Sequence, residues 1–163
     1  MPPATLPIPV QILDLLEAAL ALPDGGADYY WDVAVVRVGE DPLDQAAAPA
    51  VVIGDPGVIG RFTVEKNGEV MWHSNLHWRI PIYGVVPFSS VQSEANRNLL
   101  KIAADIFRAV MTLNNNSPTR PYNEVTWLGW EVISSPVDGD ARPWMACEID
   151  VHFRTRDTDM VTQ

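Results

Sequence analysis

A chain of 163 residues, 47% hydrophobic and 20% charged, has the size and composition of one globular domain and not of a disordered or fibrous segment. No run nears the roughly 18 consecutive apolar residues of a membrane span, no basic segment precedes an apolar one at the N-terminus, and the single Cys147 excludes an internal disulfide. Eleven Lys and Arg against 21 Asp and Glu leave a net charge of −10, unsuited to gripping a phosphate backbone. Residues 1–60 carry nine acids against Arg37 alone, so the N-terminal third holds most of the negative field. A soluble, unexported protein without a membrane role is expected, as one domain over residues 1–163 with flexible ends at about 1–9 and 155–163.

Leu6-Pro-Ile-Pro-Val10 is expected to be extended, because each proline disfavours helix in the residue before it. Gln11 to Leu22 predicts a helix with only a narrow polar stripe at Gln11, Asp14 and Glu17, stopped by Pro23-Asp-Gly-Gly26. Tyr29 to Val38 reads as a buried strand, Glu40 to Pro49 as an acidic loop, and Ala50 to Ile53 as a short strand before the turn Gly54-Asp-Pro-Gly57. Phe62 to His73 holds Asn67-Gly68, the preferred pair for a two-residue type I′ hairpin, which sets Lys66 opposite Glu69, Val64 opposite Met71 and Phe62 opposite His73. Both faces of that hairpin carry bulky apolar groups, Trp72 on one and Phe62, Val64 and Met71 on the other.

Leu76 to Tyr83 alternates, with Leu76, Trp78, Ile80 and Ile82 on one face, and Pro81 calls for an edge or a bulge. Ser89-Ser-Val-Gln92 has the form of a capping box, opening a helix that runs to about Leu113. Its apolar stripe is Leu99, Ala103, Ile106, Val110 and Leu113, widened by Leu100, Phe107 and Met111, and its wet face is Glu94, Arg97, Asn98, Lys101, Asp105 and Arg108. Asn114 to Pro121 is a polar loop, and Glu124 to Ile133 a strand. In the last strand Met145, Cys147, Ile149, Val151 and Phe153 share the core face, opposite Ala146, Glu148, Asp150, His152 and Arg154.

Few residues combine into chemistry. Cys147 sits on the core face, where a thiol packs as a small apolar group. His73 and His77 have the i, i+4 spacing of a metal pair on a helix but lie in strand-like sequence, there is no HExxH, and His152 is the only further histidine. The pairs Glu148 with Asp150 and Asp157 with Asp159 share a face at strand spacing, as acid–base catalysis needs and as any acidic surface also has. No P-loop, dinucleotide fingerprint or G-x-S-x-G occurs. The six tryptophans all fall in strand-like sequence, enough to fill a core and to supply an interface.

The order of elements predicts an α+β fold, a mostly antiparallel β-sheet with a β-hairpin packed against two main helices. That order, with Val51-Val-Ile-Gly54 early, Asn75-Leu-His-Trp-Arg-Ile-Pro-Ile-Tyr83 ahead of the helix Ala95 to Met111, and a final Glu148-Ile-Asp-Val-His-Phe-Arg154, resembles the tail terminator (tail completion, minor tail protein U-like) family of long-tailed bacteriophages. The resemblance spans nearly the whole chain and lies in the pattern of elements. It implies a structural virion protein, not an enzyme and without a cofactor or metal, at the head-proximal end of the tail and assembled in the host cytoplasm. Proteins of that family form a homo-oligomeric, hexameric ring on the major tail tube protein, end its polymerisation and join the tail to the head connector or neck protein, with DNA only as cargo passing through the lumen. An acidic chain suits a ring that must not hold DNA, and a ring needs heterologous contacts. Candidate contact residues are Phe62, Val64, Met71, Trp72 and His73 in the hairpin and Asn115 and Arg120 in the polar loop. The neighbouring reading is a neck or head-completion protein; a small metal-dependent hydrolase using His73, His77 or the carboxylate pairs, and a monomeric ligand-binding domain, are the readings from other classes.

Overall fold

Met145, Cys147, Ile149, Val151 and Phe153 are all buried, and the residues between them are half-buried, so the period-two alternation of the last strand is the alternation of a sheet with one face on the core. The computed structural model describes residues 8–22, 28–36, 48–54, 62–66, 73–115, 120–132 and 143–156. In chain order they form helix α1 (Ile8–Leu20), strands β1 (Ala34–Val36), β2 (Ala50–Ile53), β3 (Phe62–Lys66) and β4 (His73–Val85), helix α2 (Gln92–Met111) with a 3₁₀ turn at Thr112–Asn114, and strands β5 (Glu124–Val132) and β6 (Trp144–Arg156). This is an α+β fold, as expected. Both helices share one buried cluster with the sheet, in which Ile12 and Leu16 of α1 and Ile102 and Ile106 of α2 join Ile80, Ile82 and Ile149. Each such side chain contributes about 1.5–3 kcal/mol by leaving water.

The sheet is ordered β1-β2-β4-β6-β5, with β3 also on β4, and every pairing is antiparallel except that of β1 with β2. β4 is the spine: its full length pairs with β6, from His73 opposite Arg156 to Val85 opposite Trp144. Its other edge is shared, with β3 along residues 74–78 and β2 along residues 82–85. Pro81 falls between these two partners. The Gly54 N–H donates to the Pro81 carbonyl at 3.1 Å, so the side of Pro81 that lacks an N–H faces the end of β2 and no bond to β6 is lost. The expected edge position is thus a local one inside a central strand.

The hairpin register differs from the expected one. Lys66 pairs with Ser74, Val64 with Leu76 and Phe62 with Trp78, and not with Glu69, Met71 and His73. The local turn preference of Asn67-Gly68 yields to a pairing that sets two apolar positions of β3 against the apolar face of the long strand β4. Residues 67–72, with Met71 and Trp72, lie outside the described residues.

Other local expectations are also corrected. Ile8–Val10 begins α1 instead of being extended, because Pro9 stands in the first helical turn, where an N–H has no intrahelical acceptor. The strand expected over residues 29–38 is confined to Ala34–Val36 among the described residues, since Tyr30 and Trp31 give their N–H groups to a side chain of α2. Thr155 and Arg156 belong to β6, not to a loose end, because they pair with Ser74 and His73. The expected capping box is replaced by a neighbouring arrangement: Ser89 Oγ accepts the Val91 N–H at 3.2 Å and donates to Glu94 at 2.7 Å, while Gln92 bonds Asn96.

Helix α2 lies close on the sheet. A Cβ on Gly84 of β4 would stand 3.1 Å from Ile102 and Ile106 and 3.2 Å from Met145, so glycine there allows the approach. Leu99, Ala103, Ile106 and Val110 are buried as expected. Asp105 is not on the wet face: it is 1% exposed, and its carboxylate accepts the Tyr30 N–H at 2.9 and 3.1 Å and the Trp31 N–H at 2.9 Å. Burial pushes its pKa up, against the lowering effect of those bonds and of Arg108. Leu100 and Phe107, expected to widen the buried stripe, are about half-exposed, because the sheet below them ends at β5. Among the described residues no helix is long and apolar enough to cross a membrane.

Candidate assembly surface

Strand β5 ends the sheet, and its side chains are unusually apolar for an exposed edge. Val125 is buried, but Trp130 is 45% exposed beside Phe107 at 43% and Leu100 at 51% on α2, Val132 is 47% exposed, and Leu128, 43% exposed, lines the opposite face with Tyr83 and Glu148. Between β5 and α2 runs an open groove of about 240 Å³ lined by Leu100, Ala103, Ala104, Phe107, Trp127 and Trp130. Phe107 meets Trp127 edge to face at 5.3 Å, which holds one wall of the groove. Natural edges are blunted by charge, proline, bulges or short length, and β5 has two glutamates and one bulge among otherwise apolar side chains. β5 has nine residues, EVTWLGWEV, with neither lysine nor proline.

Two features define how much of that edge is open. The Asn114 side chain donates to the Val125 carbonyl at 2.7 Å and accepts the Val125 N–H at 2.9 Å, imitating a neighbouring strand at the start of β5. The register then slips between Trp127 and Gly129, where Gly129 takes φ +141° and its missing Cβ faces open space. Beyond Asn114, residues 126–132 have no strand on the side away from β6 among the described residues. The turn carrying Asn114 is held by the chain itself: Arg120 donates to the Asn114 and Asn123 carbonyls, and the Tyr122 hydroxyl donates to the Leu113 carbonyl at 2.6 Å.

The face of the sheet away from the helices is mixed, with Pro81, Tyr83, Leu128 and Trp144 beside Glu148, Asp150 and His152. His77 Nδ1 lies 2.9 Å from Asp150 Oδ2, and the His77 and His152 rings stack with centroids 4.5 Å apart. The expected co-facial pair Glu148 and Asp150 is present, but Asp150 is engaged by His77, and Glu148 lines a shallow depression of about 530 Å³ with Glu131, Tyr83 and Pro81. His73 and His77, four residues apart on a strand, are separated by about 13 Å along it, too far to share one metal. Among the described residues no three His, Cys, Asp or Glu side chains are placed to hold a metal. Asp157 and Asp159 lie outside them. Cys147 is buried, its thiol donates to the Ile82 carbonyl at 3.3 Å, and burial pushes its pKa up, the reverse of what a nucleophile needs.

No protein-family model matches the chain, and no curated protein matches it.

Of the residues singled out from the sequence, Phe62 and Val64 lie on β3 and His73 opens β4 opposite Arg156. Met71 and Trp72 are outside the described residues. Asn115 is exposed at the end of the 3₁₀ turn, and Arg120 stacks 5.5 Å over the Tyr122 ring while bonding its own backbone neighbours. The apolar edge of β5 went unmarked in the sequence. Its signal was available: Leu100, Ala104 and Phe107 form a second stripe at helical spacing, beside the stripe that meets the core.

Proposed function

We propose that this chain is a structural ring protein of a phage tail: it caps the tail tube at the head-proximal end, stops tube polymerisation and offers a surface to the head connector. A structural role in place of catalysis is part of this reading. The observation that carries it is the apolar edge of β5, unpaired among the described residues, with the groove beneath Leu100 and Phe107, an arrangement suited to association and costly to leave in water. The order of elements and the net charge of −10 support it, since a ring around DNA does better repelling phosphate than binding it. The test is native mass spectrometry of the purified protein, alone and mixed with the tail-tube protein encoded beside it. A closed ring, or a complex that halts tube growth, is expected. A persistent monomer that leaves tube growth unchanged would remove this reading.

A further inference from the structure

We propose that copies of this chain join by sheet extension, strand β3 of one protomer adding to the open edge of β5 in the next. The inference deepens the ring reading and rests on it for its biological setting.

The argument begins with strand direction. Because β3, β4, β6 and β5 are successively antiparallel, β3 and β5 run in opposite directions at the two sides of a four-strand sector. A second copy in the same orientation therefore presents its β3 antiparallel to β5, and the alternation continues across the junction without inverting either molecule. Such a contact joins two different patches, the kind from which closed rings are built.

Length and facial pattern agree with this. Asn114 occupies the edge at Val125, leaving residues 126–132, and β3 has five residues to place there. The register opposite Trp78 and Leu76 puts positions 62 and 64 on the helix side of the sheet, the face that Trp127, Trp130 and Val132 share by their pairing with Ile149, Cys147 and Met145. A continued sheet thus carries Phe62 and Val64 of the added strand to the face holding the groove of Leu100 and Phe107, and Thr63 and Glu65 to the opposite face. Within residues 126–132 β5 has Glu131 and no base, whereas β3 carries the base Lys66 beside Glu65. A two-fold contact of β5 with itself would instead double the acids. β1, three residues Ala-Val-Val, offers no apolar–polar alternation.

The test uses full-length chains carrying single cysteines on the face away from the helices, Thr63→Cys and Thr126→Cys, treated with a short bis-maleimide linker alone and with tail-tube protein present. Cys147 is buried, and the parent chain is the control for its silence. Mixing the two variants should give a mixed dimer, and a chain carrying both cysteines should give a ladder of higher species. Dimers of Thr126→Cys with itself would show a two-fold β5 contact and overturn the proposal, as would no product under either condition in variants that melt like the parent. Tube growth is scored separately. A cross-link with unaffected tube growth removes the terminator reading and leaves the edge contact, and halted growth without a cross-link does the reverse.

Discussion

The Asp105 carboxylate takes the backbone N–H of Tyr30 from 75 residues away in sequence, at 2.9 and 3.1 Å, and so ties the segment after α1 to the middle of α2. Arg108 reinforces the tie by donating to the Asp28 carbonyl and lying 5.5 Å over the Tyr30 ring. Asp105→Ala should cost about 1–3 kcal/mol, because two backbone donors lose their acceptor. Chemical denaturation at neutral pH measures it; an unchanged midpoint would show that water replaces the carboxylate at no cost.

The same residue gives a pH dependence. Its folded-state pKa is raised above 3.8, chiefly by burial, so the folded protein binds that proton more tightly than the unfolded chain. Its contribution is therefore fully present below pH 3.8 and falls as pH rises through the raised value. The stability of the parent relative to Asp105→Asn should decline with increasing pH across that window, measured by denaturation at matched ionic strength. A rising difference would mean that the hydrogen bonds from Tyr30 and Trp31 outweigh desolvation.

At Gly84 the expectation concerns packing alone. Gly84→Ala should destabilise by about 1–3 kcal/mol, since the new methyl enters the space of Ile102, Ile106 and Met145. Combining it with Ile106→Val, which removes one of the two atoms 3.1 Å away, should cost less than the sum of the two single changes. Strict additivity in thermal melts would show that the helix shifts as a body.

Val151 is 1% exposed on the core face of β6. Val151→Asp should cost about 4 kcal/mol or more, by placing an unpaired charge among buried side chains. Circular dichroism should show loss of cooperative folding. An unchanged melt would reverse the face assignment of that strand.

Trp130 is expected to behave in the opposite way. With 45% of its surface exposed at the open edge, Trp130→Ser should change stability by less than about 1 kcal/mol yet weaken association measured by sedimentation. A large loss of stability with unchanged association would place Trp130 in the fold and not in the interface.

Regular alternation was the most legible part of the chain. The faces of β6 and of residues 78–82 in β4 follow period two, because one side is against the helices and the other is not. Where a local preference competes with a long partner, the partner prevails, and the Asn67-Gly68 register is the instance. Asp105 shows how side-chain chemistry can mislead spacing: it stands three residues after Ile102 and four before Ala109, both buried, so its position was that of the core and only its charge pointed outward. For the assembly surface the difficulty was different. Trp130 and Val132 alternate like core residues, and whether a helix covers them depends on where α2 ends relative to the sheet, which periodicity does not encode.

The thirteen-residue ladder between β4 and β6 gives the molecule an internal clock. Amide protons in its middle, around Ile80 and Ile149, are enclosed by strands and helices and should exchange with solvent deuterium only when the whole domain opens. Those of β5 that point away from β6 past Asn114 are held by no strand among the described residues and should exchange early. The ratio of the two rates is fixed for an isolated chain, and it will shift when a neighbour seals the edge, so one isotope experiment distinguishes a stable subunit from an assembled one.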